Sequence, residues 1–202
     1  MIPFEERRRP RQARLGMAKG TINNMCDIFI SHIHEDERAA NAIGDFLRAK
    51  LNRRKTSDSR IKVFLSTNQF RIRLGDDWLQ KIHSALNSAK VVIALFSDAA
   101  LLRPWVHFEA GGAWFAGKTL IPACLGKLTP ENLSKPYSNI QGCNLHENSA
   151  PYYLFQSIYN ALYPGGGICL PPWPPDDEEQ QALKVALSTW ELDVETPPEA
   201  GD

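Results

Sequence analysis

Three short stretches of this 202-residue sequence carry side chains able to do chemistry. The richest is Trp105-Val106-His107-Phe108-Glu109-Ala110-Gly111-Gly112-Ala113-Trp114. Trp105 and Glu109 are four residues apart, so a helix places them on one face. Glu109 stands among Phe108, Ala110 and Ala113. A carboxylate in such surroundings must find a partner or serve a purpose; a structural salt bridge is the plain alternative. Gly111 and Gly112 each weaken a helix by roughly 1 kcal/mol relative to Ala, which points to close approach of backbone or ligand.

The second stretch is Ser31-His32-Ile33-His34-Glu35-Asp36, directly after an apolar run. It reads either as a strand end with a capping Ser or as a pocket wall. His32 and His34 have no third ligand at useful spacing, so a metal site is not expected. The third stretch is the polar loop 66–77, with Phe70, Arg71, Ile72 and Arg73. It reads as an ordinary surface loop or as a contact loop whose Arg71 or Arg73 meets a phosphate. Gly-rich phosphate loops, GxSxG and Cys/His nucleophile motifs are absent from the sequence.

Elements of an alternating kind must position these residues. Cys26–His32 is a buried-strand run, and 35–52 place Ala39, Ala42, Ile43, Phe46, Leu47 and Leu51 at helical spacing. Ile61–Leu65, Val91–Phe96, Thr119–Leu125 and Ile140–Leu145 read as further strands. Helices are expected over 77–88, with Asp76 or Asp77 as cap, over 104–117 behind Pro104, and over 152–162, with a short helix near Pro130–Leu133. Strands alternating with helices imply a parallel sheet covered on both faces: an α/β, flavodoxin-like, doubly wound, five-stranded fold. In such sheets ligands bind beyond the carboxyl ends of the strands.

The sequence divides into a basic arm, 1–24, expected to lack order; a central domain, 25–163; and a Pro-rich linker with an acidic helix and tail, 164–202. The arm carries a net charge of +4 and the last segment −8, while the whole is neutral. Bulk charge therefore gives no pointer to nucleic acid or membrane, and direct nucleic-acid contact is not expected. The helix over 176–192 has Leu183, Ala186, Leu187 and Trp190 on one face, either to pack back on the domain or to bind a partner. The cysteines, Cys26, Cys124, Cys143 and Cys169, form no CxxC pair; Cys26 and Cys124 read as small buried residues. With no apolar segment of spanning length and no leader pattern, a cytoplasmic protein is the expectation.

At these places the chain resembles the TIR (Toll/interleukin-1 receptor) family, in particular its bacterial proteins, over about residues 25–163. Asp27-Ile28-Phe29-Ile30-Ser31-His32 resembles that family's first strand, with His32 where many members have Tyr. Gly75-Asp76-Asp77-Trp78, Ile82 and Ala85-Leu86-Asn87-Ser88-Ala89 resemble its second loop and helix, and Val91–Ser97 its third strand. Pro104–Gly111 resembles the WxxxE element that carries the family's catalytic glutamate, here Glu109.

The resemblance implies NAD+ as substrate, with no cofactor, and cleavage of the nicotinamide–ribose bond by hydrolysis or cyclisation, often in antiphage defence. It further implies a homo-oligomer through TIR–TIR contacts and a sensor or activator protein as partner. Ser31 and His32 are then expected to line the ribose end, Trp105 and Phe70 to hold nicotinamide, and Arg71 and Arg73 to meet the pyrophosphate. The alternatives are a non-enzymatic TIR scaffold and a flavodoxin-like nucleoside deoxyribosyltransferase.

Overall fold

The computed structural model describes residues 26–53, 59–66, 78–165 and 177–195. The arm, the loop 67–77 with its expected Asp76 or Asp77 cap, Cys169 and the Pro-rich stretch 171–175 lie outside the described residues.

Five strands form one parallel sheet in the order β2-β1-β3-β4-β5. They are β1 (Ile28–Ser31), β2 (Val63–Leu65), β3 (Val91–Phe96), β4 (Thr119–Cys124) and β5 (Cys143–Asn144). The register is continuous, with Ile28 opposite both Val63 and Val91, and Val91 opposite Thr119. The helices are α1 (Glu37–Asn52), α2 (Trp78–Ser88), α3 (Pro104–Phe115), α4 (Ala150–Leu162) and α5 (Glu178–Glu195). This is the α/β doubly wound arrangement expected from the sequence.

The period of two along each strand divides the core. Ile28, Ile30, Val91, Ile93 and Leu95 pack with α1, α4 and α5, whereas Phe29, Val92, Ala94 and Phe96 pack with α2 and α3. All of these are fully buried, as a central parallel strand covered on both faces requires. The same parity fixes side-chain direction at the strand ends. Ser31 continues the Phe29 series toward α3; Ser97 continues the Leu95 series toward α1.

Several elements are shorter than their apolar runs. β2 starts at Val63 rather than Ile61, because Ile61 hands its N–H and C=O to the Asn52 side chain. Residues 34–36 form a separate 3-10 turn before α1, Pro130–Asn132 is likewise a 3-10 turn, and α3 stops at Phe115. β5 has two residues, not six. Pro122 has no N–H to donate, and the β4–β5 ladder begins one residue later at Ala123 opposite Cys143. Gly142 sits against Pro122, and a Cβ there would fall inside contact distance of the Pro122 carbonyl oxygen. Gly142→Ala is therefore expected to cost about 1–3 kcal/mol, read as a lower urea midpoint with an unchanged slope.

The acidic helix α5 packs on α1. Leu183, Leu187 and Trp190 are buried in the α1-side core. Asp177 caps the helix, accepting from Gln180 N at 2.9 Å. Lys50 of α1 is only 6% exposed and is bonded by Asp177 and, at 3.1 Å, by Glu179; Arg38 pairs with Asp193 near the far end. Among the described residues no helix is long and apolar enough to cross a membrane.

Candidate functional site

Glu109 is delivered by α3, whose start is set by Pro104 at its first turn. The helix is apolar on nearly every side, and Val106, Ala110 and Ala113 pack it against the sheet. Glu109 points the same way and is 1% exposed. Its carboxylate has no ion pair among the described residues. Ser31 Oγ donates to Oε2 at 2.5 Å, and Trp105 Nε1 donates to Oε1 at 2.8 Å. Neutral donors compensate the charge only in part, so burial dominates and lifts the Glu109 carboxyl to about 7. Ser31, Trp105 and Ser66 oppose that rise.

His32 follows Ser31 at the end of β1 and is 2% exposed. Its Nδ1 lies 3.2 Å from the Ile30 carbonyl oxygen. A carbonyl only accepts, so Nδ1 carries the proton and Nε2 is a bare acceptor, buried without a hydrogen-bond partner among the described residues. Burial holds the ring's pKa down at about 4, which keeps His32 neutral at physiological pH. Ser66, just past β2, ties the two strands: its Oγ accepts from His32 N at 3.1 Å.

Beside these groups a cavity of about 460 Å³ is lined by His32, Ile33, His34, Glu35, Arg103, Pro104 and Trp105. Glu109 is not in that lining; Trp105 stands in it and holds Glu109 behind. Phe108 packs on Trp105 with ring centroids 5.5 Å apart.

Thus Ser31, Glu109 and Trp105 meet, and His32 shares the cavity wall with Trp105. Phe70, Arg71 and Arg73 lie outside the described residues. Ser66 was not singled out from the sequence. Its signal was its place directly after the run Ile61–Leu65, at a carboxyl edge. Among the described residues no cluster of three or more His, Cys, Asp or Glu side chains is arranged to hold a metal.

Removing the shorter of the two bonds to Glu109 should be legible in its titration. Ser31→Ala withdraws a donor that stabilises the ionised form, so the Glu109 carboxyl is expected to titrate about one pH unit higher. Carbonyl-carbon NMR of labelled glutamate checks this.

A doubly wound parallel sheet with a buried carboxylate at its carboxyl edge is the class of protein that fold and site define. Within that class, residues 28–153 match the TIR domain family, and the chain belongs to it. No curated protein sequence matches the chain.

Proposed function

We propose that this TIR protein cleaves NAD+ between nicotinamide and ribose, with Glu109 as the catalytic carboxylate. The observation that supports the reading best is the electrostatic state of Glu109. A carboxyl lifted to about 7 by burial, with no cation beside it among the described residues, is poised to receive one. The nicotinamide ring of NAD+ is that cation, and its approach stabilises the ionised form of Glu109.

The reaction asks little acid–base chemistry of the protein. The C1′–N bond breaks with its electron pair passing to nicotinamide, which leaves neutral and needs no general acid. Positive charge develops at C1′ and the ring oxygen, and Glu109 stabilises it. Water then attacks C1′ and releases a proton, giving ADP-ribose; attack by an adenine nitrogen gives a cyclic isomer. His32 Nε2, an acceptor without a donor, suits a ribose hydroxyl. Trp105 must give up its bond to Glu109 for the sugar to take its place, and its indole then stacks on nicotinamide. Phe70, Arg71 and Arg73 remain the proposed contacts from the 67–77 loop. Activity in a defence role, a cytoplasmic setting, self-assembly and an activating sensor belong to the same proposal.

A scaffold is the second reading, and one feature favours it. The outer side of α3 exposes Phe108 at 69% and Phe115 at 92%, with Leu102 nearby at 82%. Exposed large apolar groups in one neighbourhood mark contact surfaces. The two readings part on one experiment: full-length protein, dilute and concentrated, is incubated with NAD+ and free nicotinamide is measured. Release that rises more steeply than protein concentration supports an assembled enzyme. No release at any concentration supports the scaffold. Base exchange on deoxynucleosides without nicotinamide release would indicate a deoxyribosyltransferase.

A further inference from the structure

The face of the sheet opposite Glu109 carries a second buried carboxyl at the same edge. The strand parity that turns Ser31 toward α3 turns Ser97 toward α1. Ser97 Oγ donates to Asp36 Oδ2 at 2.7 Å, and Asp36 is 1% exposed. Burial raises its carboxyl to about 6, and the indole of Trp190 from α5 is near enough to oppose that rise. Yet Trp190 Nε1 closes no hydrogen bond among the described residues, although the residue is only 5% exposed. Serine, carboxyl and tryptophan therefore recur on both faces. The difference is that the Trp105 N–H is used by Glu109, and the Trp190 N–H is unused.

Between these groups lies a cavity of about 490 Å³, bounded by the start of α1, the turns after β3 and β4, and the end of α5. Asp36, Ser97, Ala99, Leu125, Lys127 and Trp190 are among its lining residues. Of the other lining acids, Glu35, Asp193 and Glu191 stand beside Arg103, Arg38 and His146, and Arg38 and Lys127 share the lining with Asp98, so the mouth already holds cations of its own. Asp36 and Trp190 offer this cavity an acceptor and an unmet donor, and Leu125 and Ala99 add apolar wall. A buried carboxylate repels phosphate, and an apolar guest would still leave the N–H unmet.

We propose that this cavity is a second ligand site, for a neutral flat heterocycle of the nucleobase kind, with an N–H donor to Asp36 beside an acceptor for Trp190. The site is independent of the role given to Glu109.

The test uses full-length protein with nitrogen-15-labelled tryptophan, and adenine and purine as probes. Purine keeps the ring and lacks the exocyclic amine that supplies the donor beside the acceptor. The Trp190 indole resonance, assigned by its loss in Trp190→Phe, is expected to shift saturably with adenine. Purine should bind about tenfold more weakly, the effect of one hydrogen bond. Asp36→Ala should weaken adenine at least as much. Ala99→Phe, which adds bulk from an exposed turn without touching the core, should do the same and decides the matter if Asp36→Ala fails to fold. An unmoved Trp190 resonance at millimolar adenine overturns the proposal. So do equal affinities for the two probes, or wild-type binding in Ala99→Phe.

Discussion

Glu109→Gln is expected to abolish nicotinamide release while making the protein more stable at neutral and alkaline pH. Gln keeps the size of the side chain, and its single oxygen can accept from Trp105 while its NH2 donates to the Ser31 hydroxyl, but it has no charge to oppose an oxocarbenium ion. Removing one preorganised electrostatic group from a water-poor site costs about 10²–10³ in rate, and a sole carboxylate should lie at or beyond the upper end. Stability moves the other way. Glu109 has a folded-state pKa raised from 4.5 to about 7. A raised carboxyl leaves the fold most stable below the unfolded value; that stability is lost as pH climbs through the folded one. The loss amounts to about 3 kcal/mol above pH 7. Gln has no such loss, so the variant's melting temperature should fall less than the wild type's between pH 5 and pH 8. Parallel melting curves for the two proteins across this range would show that Glu109 is not held uncharged by burial.

Trp190→Ala is expected to cost about 3–5 kcal/mol, the range for emptying a large aromatic site in a core. Trp190 is 5% exposed and packs with Leu183 and Leu187 against the α1-side core. Its ring also lies 6.1 Å from that of His146. The loss should be local in space as well as large. The Lys50 pairs still tether the first turn of α5, so amide exchange should quicken most in its last two turns. Unchanged protection there would mean that α5 owes its place to the ion pairs alone.

The fold was legible because most of its signals are local. Val91–Phe96 is an unbroken apolar run and became β3 with no change of limits. The i, i+4 spacing of Trp105 and Glu109 became a hydrogen bond, since helix geometry brings such pairs together whatever surrounds them. β5 is shorter than its apolar run because its start depends on Pro122, a residue of another strand. The α5 face was visible in Leu183, Leu187 and Trp190, but its docking on α1 depends on Lys50, more than a hundred residues away. The Ser31–Glu109 bond joins residues 78 apart, and the sequence offered both ends without the link. Asp36, Ser97 and Trp190 were opaque for the same reason: three separate elements bring them to one place. The sequence also left open whether Glu109 sat in a structural salt bridge. Among the described residues it does not, and a cavity lies on the far side of Trp105.

Glu109, ionising near neutrality, is proposed to support the loss of nicotinamide. The most direct measurement is the rate of nicotinamide release from NAD+ by concentrated full-length protein between about pH 5 and pH 9, with any activator held saturating. Because Glu109 must be ionised to act, kcat/KM should rise with pH along a single limb centred at about 7 and then level off. A profile that is flat across this range, or that persists in folded Glu109→Gln, would contradict it.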